Sequence, residues 1–535
     1  MTVPEIDEKF DEKAHATHIE SAAGHDEWSH IRSDAIIAED KERAMGVIEG
    51  LKTYPAAVFW SFCISCCIIM EGYDTAVLGN VIGLPQFRQK FGTFIDEENG
   101  YQLSAAWQTA IGQAPNIGCL FGITLASYCQ DRWGYKRTLQ AGLVFLVGCI
   151  FIVFFAPSIE VLFAGEFLCG LPWGAFSSSA VSYASDVTPV ALRGYLTTYV
   201  NLCWIIGQIL AAGILYRVLD IESEWAYKIA FAIQWVWPIP LFIAITLAPE
   251  SPWFLVRKGR LEDAKRVVQR LARKGDTVDP AQTVAMMVRT NQLEIDNNTQ
   301  GSFADCFKRT DRRRTEIACL GWLCQVLCGM VFAGSPVYFL QQAGMSTNNT
   351  FQVNLGITFM AFAGTCLSWI ALTFGGRRPF FIGGMIVMGV IIYIIGGLGF
   401  AADHNQNIRW GQAALIMIFV FTYDFTVGPL AYCVVGETSA TRLRAKSVGL
   451  ARMTYNLGNI VCGILNTYMV NPTAWNLKSR SALLWAGTNT VMTVWCYFRL
   501  PEMRGRTYRE LDILFEREVP ARDFKKTVVT DEDDA

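Results

Sequence analysis

Runs of about 20 apolar residues recur twelve times along this chain, and they limit its possible folds more than any other feature. An α-helix rises about 1.5 Å per residue, so a run of about 20 residues crosses a hydrocarbon layer about 30 Å thick. The chain is 52% hydrophobic and only 17% charged, which leaves too little polar surface for a water-soluble protein of 535 residues. The sequence therefore predicts an all-α membrane protein with twelve transmembrane helices.

The predicted spans fall into two dense groups, and we number them in chain order. Spans one to six cover 56–79, 106–128, 138–156, 160–184, 195–217 and 226–248, and spans seven to twelve cover 315–340, 351–374, 380–400, 411–436, 446–468 and 481–500. We expect two six-helix bundles, 56–248 and 315–500. The polar segment 249–314 separates them, and its apolar Leu261, Ala264, Val268 and Leu271 share one helical face. It predicts a short cytoplasmic helical linker.

The two ends of the chain are polar and are expected on one side of the membrane. The acidic segment 1–55 lacks the positively charged start and apolar core of a signal peptide, so we expect a disordered cytoplasmic tail. An even number of spans puts the tail 501–535 on the same side. Lys and Arg are concentrated in the loops that this arrangement assigns to the cytoplasm, as the positive-inside rule requires. The sequon at Asn348 lies in an outside loop and is a candidate glycosylation site.

The junctions between spans repeat from one half of the chain to the other. "YASDVTPVALRG" follows span four and "VVGETSATRLRA" follows span ten, and in both an acid precedes an arginine by seven residues. Parallel repeats of this kind build transporters whose two bundles rock about a central site. Acid and base pairs that form and break would give such a motion two discrete states. Topology alone explains the cations of these junctions but not the matched acids. The predicted cytoplasmic gate consists of Asp131, Arg132, Arg137, Asp186, Arg193, Glu250, Arg378, Glu437, Arg444 and Glu502.

Four ionisable residues inside the predicted spans are candidates for function, because an ionised group in a bilayer costs about 2.5–3.5 kcal/mol on insertion scales. Glu71 and Asp74 are three residues apart and share a helix face, and Glu166 lies at similar depth in span four. Three carboxylates in a low dielectric cannot all be ionised cheaply, so we expect the cluster to carry a proton. Arg452 in span eleven is the expected cation. The alternative is structural: carboxylates bonded to neighbouring helices, and an Arg452 salt bridge with Asp424.

The ordered set of junction motifs resembles the sugar porter family of the major facilitator superfamily from about residue 55 to 515. The matching segments are "GYDTAVLG", "DRWGYKR", "YASDVTPVALRG", "PESPWFLVRKGR", "GRRP", "GETSATRLRAKS" and "PEMRGRTYRELD". Within that family "EGYDTAVLGN", "CGLPWGAF" and "YVNLCWIIGQ" are similar to fungal maltose and general α-glucoside permeases. The resemblance implies a plasma-membrane proton symporter of α-glucosidic sugars such as maltose. A hexose or other sugar facilitator without proton coupling, or a transporter-like sugar sensor, is the alternative.

The resemblance also implies which side chains contact the sugar. Asn201 and Gln208 of span five match sugar-contact positions of the family, and the second bundle is expected to contribute Gln325, Tyr432, Tyr455, Asn456 and Asn459. Asn and Gln also bond across helices as structural groups, which is the competing interpretation. Trp173 and Trp204 are assigned to packing. The chain departs from the family pattern at Glu166, where many hexose porters carry Arg, and at Thr373, the counterpart of Asp131.

Other function classes have no support in the sequence. No phosphate-binding glycine loop precedes a Lys-Ser/Thr pair, and no His and Cys residues have metal-ligand spacing. The net charge is −3, and the basic clusters lie at the ends of predicted spans, so the sequence gives no support for nucleic-acid binding. We therefore expect no enzyme activity, cofactor or metal. The expected partners are a sugar, protons and the lipid bilayer, with the chain acting as a monomer.

Overall fold

The computed structural model describes residues 25–96, 100–273, 275, 278–296, 303–334, 336–342, 344–401, 406–439, 443–504 and 508–527. Twelve long helical segments lie at the positions of the twelve predicted spans. In the first half these are Pro55–Ser65 with Cys67–Val81, Ala105–Trp133, Tyr135–Phe154, Ile159–Val187, Val190–Arg217, and Trp225–Ala232 with Pro238–Leu247. In the second half they are Arg309–Leu327 with Met330–Ala333 and Pro336–Gln342, then Thr347–Phe374, Arg377–Leu398, Gln406–Phe425 with Val427–Thr438, Arg444–Val470 and Ala482–Arg499.

Eight of these segments, within the described residues, are long and apolar enough to cross a membrane by length and composition alone. Spans two, seven, eleven and twelve are not among the eight. Span two carries Gln108, Gln113 and Asn116 in its first half, and span eleven carries Asn456, Asn459 and Asn466. Polar side chains of this kind lower hydropathy where a span faces the interior of a bundle instead of lipid.

Backbone contact at glycine holds neighbouring spans together. A Cβ atom on Gly72 of span one would lie 2.3 Å from the carbonyl oxygen of Trp204 in span five. A Cβ atom on Gly207 of span five would lie 2.2 Å from the carbonyl oxygen of Ile69 in span one. Each helix therefore touches the backbone of the other at a residue without a side chain, which is how small residues bring membrane helices into close contact.

Besides span one, which is interrupted at Cys66, three spans are interrupted along their length. Span six passes through a 3-10 turn, Ile233–Val236, immediately before Pro238, which has no N–H group to continue the helix. Span ten breaks at Thr426, whose φ and ψ are −124° and −85°. Span seven breaks at Gly329, where φ is 101°, a value that favours glycine. Broken spans place polar groups inside the membrane, and transporters use such breaks at their central sites.

Both ends of the bundle carry further elements. We call the end that bears the segment 249–314 the linker end and the other end the opposite end. The linker contains the predicted helix, Leu261–Leu271, whose Ala264, Val268 and Leu271 are buried, and also helices Pro252–Arg257 and Pro280–Asp296 and a 3-10 helix Phe303–Phe307. At the opposite end are a helix Pro85–Phe91, an antiparallel hairpin of strands Thr93–Asp96 and Gly100–Gln102, and short 3-10 helices Val218–Asp220 and Lys478–Ser481.

The first tail differs from its prediction. The sequence predicts disorder over 1–55, yet residues 25–53 form helices His25–Ala44 and Val47–Thr53. The first of these packs along the linker helix Pro280–Asp296, where the Lys41 amine donates to Gln282 at 3.1 Å. The prediction was wrong here because the helix is stabilised by a surface about 240 residues later in the sequence, which the local sequence pattern does not reveal. In the second tail a helix Tyr508–Glu516 packs against the start of span seven.

Candidate functional site

An ion pair joins the two halves of the chain at the centre of the molecule. Oε1 of Glu71 in span one lies 3.9 Å from Nη2 of Arg452 in span eleven. The side chains are 5% and 15% exposed respectively, so both are largely removed from solvent. Oε2 of Glu71 has no hydrogen-bond partner among the described residues. The sequence assigned both residues to proton coupling, and the structure brings them together. The salt bridge of Arg452 with Asp424 that the sequence allowed is replaced by this pair.

Asp74 lies one helical turn from Glu71 and has a different environment. Its carboxylate accepts the amide N–H of Gln234 at 2.7 Å on Oδ1 and the indole N–H of Trp173 at 3.0 Å on Oδ2. Asp74 is 1% exposed, and Gln234 and Trp173 are buried with it. Hydrogen bonds to both oxygens are the arrangement that stabilises an ionised carboxylate away from water. The interpretation of Trp173 as packing alone is therefore incomplete.

Glu166 is the third acid of the predicted cluster and has the least support from its surroundings. It is fully buried in span four, and neither carboxyl oxygen has a hydrogen-bond partner among the described residues. It lies within electrostatic range of Asp74 and beside Cys169. Burying an ionised carboxylate without partners costs several kcal/mol, so a group in this position is stable only when it holds a proton. Glu166 and Asp74 thus differ in the charge that their environments favour.

An aromatic group surrounds the cation of the central pair. The Arg452 guanidinium lies 5.0 Å from the ring centre of Tyr455 and 5.5 Å from that of Trp322. Trp322 in turn meets Tyr432 edge to face at 5.3 Å. Such rings stabilise a buried guanidinium through their negative faces while leaving its N–H groups available. Tyr432 and Tyr455, both predicted sugar contacts, therefore lie next to Arg452 and Glu71, which are predicted to take part in proton coupling.

The predicted sugar-contact residues divide into two groups. Gln325 is buried and donates its amide N–H to the carbonyl oxygen of Gly428 in span ten at 2.8 Å, and Asn456 is buried with its amide 3.7 Å from the Cys119 sulfur. These two amides already bond within the protein. Asn201, Gln208 and Asn459 are half-buried. Asn201 lies beside Asp424 of span ten, so span five also meets the second half of the chain at this level.

The opposite end is closed by hydrogen bonds between the two halves. Asn471 donates to Gln108 Oε1 at 2.6 Å and to the carbonyl oxygen of Leu103 at 3.3 Å. Arg88 donates to Gln341, and Gln341 donates to the carbonyl oxygen of Gly83 at 3.1 Å. These contacts join the ends of spans one and two to those of spans seven and eleven.

The predicted gate residues lie at the linker end, and the acids after spans six and twelve have equivalent positions. Glu250 accepts the backbone N–H groups of Tyr135 and Lys136 at 3.1 and 3.2 Å. Glu502 accepts those of Arg377 and Arg378 at 2.9 and 3.2 Å. Glu250 thus caps the first turn of span three, and Glu502 caps the first turn of span nine. Burial raises the pKa of the Glu250 carboxyl, and its bonds to backbone N–H groups oppose that rise.

Ion pairing at the linker end includes Arg377, which lies next to the predicted gate residue Arg378. Glu437 pairs with Arg377 at 3.2 Å, whereas the predicted Arg378 donates to the carbonyl oxygen of Tyr497 at 2.7 Å. Adjacent residues on a helix point about 100° apart, so only one of the two arginines can face span ten. Asp186 accepts a hydrogen bond from Ser251 at 2.7 Å. Arg132 donates to Tyr128 at 3.1 Å, and Asp131 and Arg137 are exposed. The side chains of Arg193 and Arg444 lie outside the described part of the structure.

Comparison with known proteins identifies the family. The family described as "Sugar (and other) transporter" matches residues 60–515. The chain belongs to this sugar transporter family. It is 39% identical over 502 residues to the maltose permease MAL61 of Saccharomyces cerevisiae, covering 93% of this chain and 81% of that relative. It is 38% identical over 507 residues to the alpha-glucosides permease MPH3 of Saccharomyces cerevisiae strain YJM789, covering 93% of this chain and 83% of the relative.

Solved structures agree on the fold of this sugar transporter. The proton:xylose symporter XylE, of the major facilitator superfamily, matches with a TM-score of 0.71 over 86% of this chain and 100% of that one, at 18% identity. A partially occluded inward-open structure of XylE from E. coli matches with a TM-score of 0.67. The fold is thus two six-helix bundles of the major facilitator type, as the sequence predicted, and the protein is a membrane transporter, not an enzyme.

Sequence reasoning missed three residues that contact the predicted site residues of this transporter. Gln234 is uncharged, and its contact with Asp74 depends on the 3-10 turn that interrupts span six. Trp322 precedes Gln325 by three residues on span seven and contacts Arg452. Trp173 could have been found from spacing, because it lies seven residues after Glu166 and so near the same stripe of span four. Among the described residues, no group of three or more His, Cys, Asp and Glu side chains is arranged to hold a metal ion.

Proposed function

We propose that this chain imports α-glucosidic sugars of the maltose type together with protons, by alternating access across the plasma membrane. The relatives named maltose permease and alpha-glucosides permease match 93% of the chain, which supports this substrate class. The chain acts as a monomer, with the linker end and both termini in the cytoplasm. The opposite end then faces the medium, and its hydrogen bonds between the halves form the outer gate.

The central ion pair between the halves carries this proposal. Glu71 and Arg452 belong to different bundles, so a change in the charge of the acid changes the attraction between the bundles. A proton that neutralises an acid of this cluster from the outside weakens that attraction and permits the rearrangement that exposes the site to the other side. Release of the proton inside restores the starting state. The proton-coupling residues are Asp74, Glu71, Glu166 and Arg452.

The sugar binds beside this pair. Its hydroxyl groups contact amides of both bundles, and its apolar C–H faces lie against the tyrosine rings. The proposed contacts are Asn201, Gln208, Gln325, Tyr432, Tyr455, Asn456 and Asn459. Tyr455 lies against Arg452, and Tyr432 lies against Trp322, which also contacts Arg452, so a bound sugar alters the environment of the cation that attracts Glu71. Sugar and proton therefore act on one group of side chains.

The energy of one proton is sufficient for strong accumulation. A proton crossing about 100 mV contributes about 2.3 kcal/mol, and each unit of pH difference adds about 1.4 kcal/mol. One proton per sugar thus supports an accumulation of roughly hundredfold or more.

Uptake in cells that lack their own sugar transporters tests the proposal. Labelled maltose, sucrose, trehalose and glucose are supplied at two external pH values, and the pH of an unbuffered medium is recorded. We expect maltose uptake against its gradient, greater at the acidic pH, and alkalinisation of the medium when maltose is added. A hexose facilitator would take up glucose without alkalinisation, and a sensor would take up no sugar. Either result contradicts the proposal.

A further inference from the structure

The carboxylate of Asp74 is held by two uncharged donors that differ in what they can do. Gln234 is 4% exposed and Trp173 is 2% exposed, and each donates to one oxygen of Asp74. An indole N–H can only donate a hydrogen bond. A glutamine amide carries both a donor and an acceptor, and the two exchange places when the amide turns by about 180°. The two partners are therefore equivalent for the anion of Asp74 but not for its protonated form.

Protonation of Asp74 changes what its neighbours must supply. The protonated carboxyl has one O–H group that needs an acceptor, and Trp173 offers none. If the proton is added to Oδ1, Gln234 can accept that O–H after its amide has turned, and Oδ2 keeps its bond to the indole N–H. A buried polar group without a partner costs about 1–3 kcal/mol, so the turned amide stabilises the protonated form by removing that cost.

The titratable groups that face Asp74 are poorly suited to accept its O–H group. On its own helix they are Tyr73 and Glu71, and span four contributes Glu166 and Cys169. Each of these is an acid or a weak acid, and Arg452 is paired with Glu71. Of span six, Gln234 bonds to Asp74 and bears no charge.

The position of Gln234 in its helix suits a side chain that has to turn. It lies in the 3-10 turn Ile233–Val236, between helix Trp225–Ala232 and the helix that begins at Pro238. Short 3-10 stretches within a helix often mark hinges, because their hydrogen bonds are weaker than those of an α-helix. When the Gln234 amide reverses, the backbone of this turn can adjust slightly without unfolding span six.

We propose that Gln234 is a positioning residue that stabilises both protonation states of Asp74 by reversing its side-chain amide. Trp173 bonds to both states but favours the ionised one, because a hydrogen bond to a charged oxygen is stronger than one to a neutral oxygen. This inference rests on the proposed function, since it assigns a role within proton-coupled uptake. It makes span six a part of the coupling machinery although span six contributes no ionisable group to it.

The test compares three variants for which labelled-maltose uptake is measured as a function of external pH, together with exchange of maltose down its gradient. Gln234→Met removes both the donor and the acceptor, and we expect uphill uptake to fall at least about tenfold at every pH while exchange continues. Gln234→Glu retains one donor and one acceptor when protonated, and it should restore uphill uptake with a changed pH profile. Trp173→Phe removes a donor whose bond to the anion is stronger than its bond to the protonated form, so its pH profile should move to higher pH while its maximal uptake is retained.

The controls separate this inference from the proposed function. Gln140→Met removes the amide of a glutamine that bonds Thr246 outside the site, and it should behave as the wild type. A wild-type pH profile and maximal uptake in Gln234→Met overturn the inference, and so does an equal loss of uphill uptake in Trp173→Phe. If both Gln234 variants lose exchange as well as uphill uptake, Gln234 has a structural role only, and this result also overturns the inference. If Gln234→Met does not reach the membrane, the contrast between Gln234→Glu and Trp173→Phe decides. Absence of alkalinisation by the wild type refutes the proposed function instead.

Discussion

Glu71 Oε1 and Arg452 Nη2 lie 3.9 Å apart, and the two residues come from opposite halves of the duplicated chain. An ion pair at this position makes the attraction between the bundles depend on the charge of one carboxyl group. Two predictions about the site follow from this pair and from the adjacent Asp74.

Removal of one partner of the central pair should cost more than removal of both. Arg452→Gln leaves Glu71 buried without a cation, and such a loss costs about 3–5 kcal/mol. We expect a large fall in the melting temperature of the detergent-purified protein and loss of maltose uptake. The double variant Glu71→Gln with Arg452→Gln should melt at a higher temperature than Arg452→Gln and remain inactive.

Lys90 and Glu224 provide the matched control for this pair. Their ion pair of 3.0 Å lies within one half and on the surface, so Lys90→Gln should change neither the melting temperature nor uptake. Equal melting temperatures for Arg452→Gln and the double variant would show that Glu71 and Arg452 are not coupled in the folded protein.

Asp74→Asn should separate accumulation from exchange. The asparagine is nearly isosteric and can still bond to Gln234, but it cannot gain or lose a proton. We expect the variant to exchange labelled maltose down its gradient while it fails to accumulate maltose above the external concentration. Both quantities are measured in the same cells, with a protonophore added to define the uncoupled level. Full uphill uptake by Asp74→Asn would remove this residue from the proton pathway.

The main architecture could be predicted from the sequence because lipid imposes a simple rule. Each span needs an apolar run of sufficient length, and the twelve runs correspond to the twelve helical segments. Glu71, Asp74 and Arg452 could be found because a charge within such a run is costly and therefore conspicuous. The amphipathic pattern of Leu261–Leu271 likewise identified a linker helix.

Features that depend on distant contacts could not be predicted in this way. Gln234 carries no charge, and only the 3-10 turn brings it to Asp74. Helix His25–Ala44 has no strong apolar face of its own and is positioned by the linker helix Pro280–Asp296. The choice of Arg377 over Arg378 as partner of Glu437 depends on the rotation of one helix about its axis. A single sequence records none of these tertiary relationships directly.

Glycine at position 207 should be far less replaceable than glycine at 213, although both lie in span five. A Cβ atom at Gly207 would lie 2.2 Å from the Ile69 carbonyl oxygen, whereas nothing lies within 4 Å of one at Gly213. We expect Gly207→Ala to lose about 1–3 kcal/mol or more through displacement of span one. Gly213→Ala should gain up to about 1 kcal/mol from the higher helix propensity of alanine. Melting temperatures of the purified variants provide the measurement, and equal values for the two would contradict close backbone contact between spans one and five.

Loss of the Asn471 side chain should open the opposite end more often. Asn471 is fully buried and bonds Gln108 and Leu103 across the two halves, so Asn471→Ala leaves buried polar groups without partners only while this end is closed. That cost, about 1–3 kcal/mol, corresponds to a shift of roughly 5- to 150-fold in the population open at this end.

The shift is measured with a cysteine introduced as Thr109→Cys, a buried position at the same end of span two. A membrane-impermeant thiol reagent in the medium should modify that cysteine at least about fivefold faster when Asn471→Ala is also present. Ser104→Ala is the control, because the Ser104 hydroxyl accepts the backbone N–H of Trp107 within its own helix. An unchanged modification rate in Asn471→Ala would mean that these hydrogen bonds do not hold the opposite end closed.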